Sequence, residues 1–266
     1  MTFPPAGLKL ILMRGEKKLE VLSVRDGQGG KAEDLVAVEE PLALYVNGTR
    51  LATLLYTPPM AIELAVGHLF SEGLIAGRDD ITSLSVRKGL VLVEIKGEVP
   101  TEFAGRTITS GCGAVSAAYP QNIRQIKKVK GGPEISQERV LELADSFRKM
   151  SRLFEETGGV HSAALSDGAE IIVFVDDIGR HNAADKVFGR CLMEGIATSD
   201  KILLTTGRIS SEIALKAAKN GVAIVISRSA PTSLAIHLAE RLGVTLVGFV
   251  RGRRMNVYTH WEKVNL

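Results

Sequence analysis

Between Glu170 and Val250 four short apolar runs alternate with three stretches of helical periodicity, and this rhythm limits the fold more than any other feature. The runs are EIIVFVDD (Glu170 to Asp177), KILLTTG (Lys201 to Gly207), VAIVIS (Val222 to Ser227) and VTLVGFV (Val244 to Val250). Between them lie a helix through Ala184, Val187, Phe188 and Leu192, a second in SSEIALKAAKNG closed by Asn220 and Gly221, and a third through Leu234, Ile236 and Leu238 that stops at Gly243. Strands that apolar must be covered on both faces, and helical crossovers supply the cover. The reading is an α/β domain with a largely parallel, doubly covered sheet.

In open sheets of this type ligands sit beyond the carboxyl ends of the strands. Each run here ends in a polar loop with arginine: DDIGRHN (Asp176 to Asn182), TTGRISS (Thr205 to Ser211), SRSAPTS (Ser227 to Ser233) and FVRGRRMN (Phe249 to Asn256). Guanidinium forks, amides at helix starts and small hydroxyls are the groups that hold phosphate. The loops therefore predict an anionic ligand, phosphorylated or nucleotide-like. The chain has no glycine-lysine phosphate loop and no glycine fingerprint opening a helix after its first strand, which argues against ATP hydrolysis and nicotinamide chemistry. Asp176, Asp177, His181 and Asp185 could suggest a metal, but Asp177 and Asp185 read better as groups that cap the loop and orient Arg180 or His181. No structural metal is expected. His161, in GGVHSAAL (Gly158 to Leu165), and His181 both stand as acid or base candidates.

The chain has two cysteines, too far apart for a disulfide framework or zinc spacing, which fits a reducing cytoplasm. Cys191 falls within a helix beside Leu192 and Met193 and reads as structural. Cys112 sits between Gly111 and Gly113 in TSGCGAVS, a loop running into Ala114, Val115, Ala117 and Ala118. Flanking glycines admit close approach to the sulfur, and a helix start favours thiolate. A small cysteine filling a buried turn would look the same. A cysteine hydrolase, with Cys112 as nucleophile and His161 or His181 as base, lacks an identifiable orienting pair.

Upstream, residues 1–105 read as a smaller α+β lobe and 106–266 as the main domain. Leu8 to Met13 and Leu19 to Val24 are strand-like, and DGQGGKAED (Asp26 to Asp34) reads as a glycine-rich loop. Pro41 to Thr57 is a hairpin about Asn47-Gly48, Pro58 and Pro59 open a helix ending near Gly73, and Ile81 to Gly97 is a second hairpin. His68 on that helix reads as a surface or packed histidine. Arg124 to Pro133 is a basic connector, read as a solvated linker or an active-site flap. Ser136 then caps one long helix whose Val140, Leu143, Ala144, Phe147, Met150 and Phe154 face the core, ended by Gly158 and Gly159. A net charge of +3 is too mild to imply nucleic acid, and no apolar run approaches the ~20 residues of a membrane span. With no signal-peptide pattern, a cytoplasmic protein is expected.

PLALYVNGTRLATLLYTPPMAIELAVGHLFSEGLI, the glycine-flanked Cys112, GGVHSAAL, DDIGRHNAADKVFG, SAPTSLAIHLAERLGVTLVGFVRG and NVYT together resemble the formate dehydrogenase accessory sulfurtransferase (FdhD) family, from about Pro41 to Thr259. The resemblance implies a dimeric cytoplasmic sulfur carrier whose larger domain is a three-layer α/β/α sandwich similar to cytidine deaminase. Such proteins take sulfur as a persulfide from a cysteine desulfurase and pass it to the bis(guanine dinucleotide) molybdenum cofactor before insertion into formate dehydrogenase. By position, Cys112 matches the persulfide cysteine, and Phe249, Val250, Arg251, Gly252, Arg253 and Arg254 match a cofactor-binding stretch. Gly179, Arg180, His181 and Asn182, with Ser229, Thr232 and Ser233, look like the remaining walls of a guanine nucleotide pocket. The His-x-Glu and Pro-Cys-x-x-Cys that a zinc deaminase needs are absent. Many family members carry Cys-x-x-Cys where this chain has Cys112-Gly113-Ala114-Val115, so a two-cysteine relay within the loop is not available. A non-catalytic cofactor chaperone is the alternative that this departure favours.

Overall fold

The computed structural model describes residues 15–100, 106–108 and 126–266. Cys112 and its loop, the expected strand at Leu8 to Met13, and Arg124 and Gln125 of the connector lie outside them. The chain opens with a two-stranded antiparallel ribbon, β1 (Glu16–Arg25) and β2 (Gln28–Ala37). Asp26 and Gly27 form its turn, with φ of 51° and 79°. The glycine-rich stretch expected to be a loop is thus mostly strand. Asp26-Gly27 was its hairpin signal, hidden because β2 is largely exposed and shows no apolar alternation.

The Asn47-Gly48 hairpin forms as expected between β3 (Glu40–Val46) and β4 (Thr49–Tyr56), with φ of 49° and 75° at the turn. With β5 (Ile81–Arg87), β6 (Leu90–Ile95) and β7 (Arg106–Ile108) it makes a five-stranded sheet in the order β5-β6-β3-β4-β7. The helix α1 (Ala61–Glu72) starts after the two prolines and ends at Gly73, φ 81°. Its Leu64, Ala65 and Leu69 close over Leu42, Leu44, Leu54, Val91 and Val93. Each such leucine or valine removed from water contributes roughly 1.5–3 kcal/mol.

A short strand β8 (Ile135–Ser136) leads into α2 (Gln137–Met150), where Ser136 Oγ accepts from Arg139 N at 3.2 Å. The expected single helix breaks at Ser151, which restarts the chain as α3 (Arg152–Thr157) by accepting from Phe154 N at 3.0 Å. A serine hydroxyl competing for backbone amides favours a cap over a helix interior. The break leaves Met150 and Phe154 43% and 51% exposed instead of in the core.

The main sheet has six strands: β9 (His161–Ser166), β10 (Ile171–Asp177), β11 (Ile202–Thr205), β12 (Ile224–Ser227), β13 (Thr245–Arg251) and β14 (Arg254–Val257), in the order β10-β9-β11-β12-β13-β14. Only β11–β12 and β12–β13 pair in parallel, so the sheet is mixed. The strand β9 is threaded antiparallel between β10 and β11. That leaves β10, β11, β12 and β13 pointing one way, and their carboxyl ends share one edge.

On one face lie α4 (Arg180–Glu194), α5 (Ser211–Lys219) and α6 (Ser233–Leu242), covering Leu165, Val173, Leu203, Val225 and Leu246. On the other, α2 covers Ile202, Leu204, Ile224, Ile226 and Val247. The domain is therefore the expected α/β/α sandwich. A last strand, β15 (Val264–Asn265), pairs with β8.

The two sheets meet through α1 and α4. A Cβ at Gly67 would stand 1.9 Å from Asp185 O, and one at Gly189 would stand 1.8 Å from Glu63 O. Bare backbone at both positions is what lets the helices touch, as in small-residue helix crossings. Cys191 lies buried in α4, its thiol pushed up to about 11 mainly by that burial, as suits a structural cysteine.

Candidate functional site

At the shared carboxyl edge is a cavity of about 650 Å³. His161 and Ser162 of β9, Ile178 after β10, Thr206 after β11, Arg228 and Ser229 after β12, and Arg251 of β13 line it. The opposite wall is Arg148, Ser151 and Phe154 at the α2–α3 break. A cavity of about 360 Å³ shares Arg148, Arg228 and Arg251 and adds Val250, Gly252, Arg253 and Asp145. Asp145 pairs with Arg148 at 3.2 Å and with Lys149 at 2.6 Å. Even so, arginine outnumbers carboxylate along the crevice.

Backbone irregularity aims these groups. The β13–β14 register shifts between Gly248 and Arg251, and Phe249 takes a φ of 53°. A bulge of this kind re-aims the side chain that follows it. Phe249 N donates to Ser229 O at 3.2 Å, and Arg251 Nε donates to Arg228 O at 3.1 Å, which ties the two loops together. At Gly248 a Cβ would come within 3.0 Å of Pro231, so glycine lets the SAPTS loop lie against the strand.

The polar floor is neutral or paired. His161 Nδ1 lies 3.1 Å from Thr206 Oγ1, and burial, then the Arg180 charge, hold its pKa below the ordinary histidine value. Asp176 accepts from Ser162 Oγ at 2.6 Å and Ser151 Oγ at 2.9 Å, while burial raises its pKa. Arg180 runs its stem over Gly207, where a Cβ would stand 2.8 Å from Arg180 Cδ.

Beneath the floor lie two ion clusters. Lys186, fully buried, donates to Asp177 Oδ2 at 2.7 Å, to Thr57 O at 2.6 Å and to Asp176 O at 3.1 Å. Asp177 Oδ1 accepts from Gly179 N and from Asn182 Nδ2, both at 2.9 Å. Asp185 accepts from Ser71 Oγ at 2.6 Å, pairs with Lys216, and has His68 Nδ1 at 3.8 Å. His68 is thus a packed histidine. Asp177 caps its loop as expected, and it also accepts from Asn182 and Lys186. His181 is 7% exposed; burial, then Lys216 and Arg180, push its pKa down to about 3. Glu212 Oε2 lies 3.1 Å from His181 Nε2 without a hydrogen bond forming, and burial raises the Glu212 pKa.

Of the residues singled out in the sequence, Ser229, Val250, Arg251, Gly252 and Arg253 line the crevice. Gly179 caps α4, Asn182 is tied to Leu55 O at 2.8 Å, and His181 is buried. Thr232 caps α6 by accepting from Ala235 N, Ser233 opens that helix, and Arg254 stands exposed on β14. Arg148 and Phe154 were not anticipated as wall residues. In the sequence Phe154 reads as core; Ser151, a cap residue in mid-pattern, was the available clue.

Together these features define an α/β/α sandwich protein with an arginine-lined crevice where the strands of its main sheet end. The chain belongs to the FdhD/NarQ family, whose model matches residues 37–265. It is 41% identical over 254 residues to the sulfur carrier protein FdhD of Geobacillus kaustophilus, covering 93% of this chain and 97% of that one. The protein of the same name from Bacillus subtilis is 41% identical over 257 residues, covering 92% and 98%. In structure the chain is similar to a formate dehydrogenase accessory protein from Desulfotalea psychrophila, with TM-score 0.79, 27% identity, and coverage of 94% of this chain and 100% of that one.

Proposed function

We propose that this chain is a cytoplasmic sulfur carrier that serves formate dehydrogenase. In this reading Cys112, as thiolate, attacks the terminal sulfur of a cysteine desulfurase persulfide. The desulfurase thiolate leaves, and the persulfide passes to Cys112. The bis(guanine dinucleotide) molybdenum cofactor is the acceptor, held as substrate in the arginine crevice; in its reduced form it supplies the two electrons that take the sulfane sulfur to sulfide, and Cys112 leaves as thiolate. The observation that carries the reading is the meeting of all four strand-end loops on one cavity that contains Arg148, Arg228 and Arg251. Guanidinium groups suit the phosphates, and the exposed Phe154 ring offers a face on which a base can stack. His161, held neutral, is the nearer of the two histidines to accept a proton there. Gly179, Arg180, His181, Asn182, Thr232, Ser233, Phe249 and Arg254 act as supports for that wall. The protein works as a homodimer.

The experiment is intact mass spectrometry after incubation with a cysteine desulfurase and cysteine. The expected result is a gain of one sulfur atom in the wild type and none in Cys112→Ala. No gain in the wild type would leave the non-catalytic chaperone, which the lone loop cysteine favours. That chaperone predicts that Cys112→Ala still binds guanine nucleotides and still supports formate dehydrogenase maturation.

A further inference from the structure

A second basic cavity, of about 600 Å³, opens on the other edge of the main sheet. Ser199 and Gly221 on its wall stand just before β11 and β12, and Val129 donates from its backbone to Leu242 O just before β13. The cavity therefore lies at the amino ends of the strands whose carboxyl ends form the arginine crevice. Its rim carries Lys127, Lys128 and Lys130, all exposed, and Lys219. Phe70, Ile75, Ile126 and Val129 make its apolar floor, and Glu72 is its one carboxylate among the described residues. The connector that supplies three of these lysines is held in place. Ile126 and Val129 pack on the core, and Val129 O sits where a Cβ at Gly243 would come within 2.4 Å.

We infer that this groove docks an acidic polypeptide segment of a partner protein, one that carries an apolar anchor side chain between its carboxylates. Charge complementarity names the first half of that chemistry. Lysine is a compact, strongly hydrated point charge suited to single carboxylates, whereas the arginines of the crevice suit bidentate phosphate. The floor names the second half, because four apolar side chains beneath a ring of ammonium groups are matched by an amphipathic peptide. A concave groove does not fit a flat lipid surface, and a half-buried Phe70 in its floor offers no exposed ring for stacking bases. Lys219 adds to the case. Its ammonium is held by Ser71 O, and burial lowers its pKa, so a carboxylate in the groove would stabilise its charged form. The placement leaves the crevice open, so a partner can hold the protein while the arginine edge remains free.

The test is fluorescence anisotropy with a fluorescein-labelled dodecapeptide of aspartate and glutamate with leucine and phenylalanine at its centre. The expected result is saturable binding that weakens with salt. It should weaken at least about tenfold in the triple variant Lys127→Glu, Lys128→Glu, Lys130→Glu, and about tenfold when serine replaces both apolar peptide residues. Carbodiimide cross-linking and peptide mapping should join the peptide to Lys127, Lys128, Lys130 or Lys219. Guanosine diphosphate binding, measured in parallel, reports on the arginine crevice alone and should be unchanged in the triple variant. The inference is overturned by absence of saturable peptide binding, by equal binding in the triple variant, by cross-links confined to other lysines, or by equal displacement with polyuridylate or pyrophosphate.

Discussion

Lys186 and Asp177 are both buried completely, and each has its hydrogen bonds met by the other, by Asn182 or by backbone; Arg228 and Arg251, three and four strands along the same sheet edge, face an open cavity. Asp177, Arg228 and Arg251 all come from polar loops at strand ends, and in the sequence those loops look alike. The difference lies in what a charge costs. Out of water an ion must be paired, so Lys186 and Asp185 are surrounded by fixed partners and serve to join α4 to α1 and to the N-terminal sheet. At the rim solvent carries that cost, and a guanidinium can stay available for a ligand.

The largest effect that would sharpen this contrast is on stability. Lys186→Met should cost about 3–5 kcal/mol in urea unfolding, because it leaves Asp177 buried and unpaired. Arg251→Ala should stay within about 0.5 kcal/mol. Comparable losses from both would erase the distinction. Next, isothermal titration with guanosine diphosphate should show Arg228→Ala and Arg251→Ala each losing about 1.5–3 kcal/mol of binding, or roughly tenfold to a hundredfold in affinity. Wild-type affinity in both would remove the crevice from the account. Third, Gly189→Ala should cost about 1–3 kcal/mol in the same unfolding assay, since its Cβ meets backbone rather than a movable side chain. A neutral result would show that α1 and α4 separate easily.

The smallest effect is a pH dependence. His181 takes a proton near pH 6.5 when unfolded but only near pH 3 when folded, so the unfolded chain binds more protons between those values. The stability due to the neutral imidazole is complete above about pH 6.5 and is lost as pH falls toward 3. Glu212 and Asp176, with raised values, act in the opposite sense, which makes the difference between wild type and His181→Asn the informative quantity. That variant should flatten the acid side of the stability curve; an unchanged slope would mean His181 is not held neutral.

The sandwich was legible in the sequence because its strands are apolar on both faces and two of its helices stop at the Asn220-Gly221 pair and at Gly243. The crevice was legible in outline, since Ser229, Arg251 and Arg253 recur at strand ends on one edge. What escaped was decided by contacts rather than composition. β9 carries no periodic mark of running antiparallel between β10 and β11. Asn182 and His181 read as pocket walls because burial beneath β4 and α5 cannot be seen along the chain. Phe154 read as core because the one-residue break at Ser151 shifts the helical phase.

The central claim is that sulfur on Cys112 is delivered to a cargo held by the arginine crevice. The direct measurement is intact mass before and after adding the reduced molybdenum cofactor to protein already loaded with sulfur. Wild type should lose the added sulfur, and the Arg228→Ala, Arg251→Ala double variant should load it equally well but keep it. Equal loss from both proteins would contradict the account.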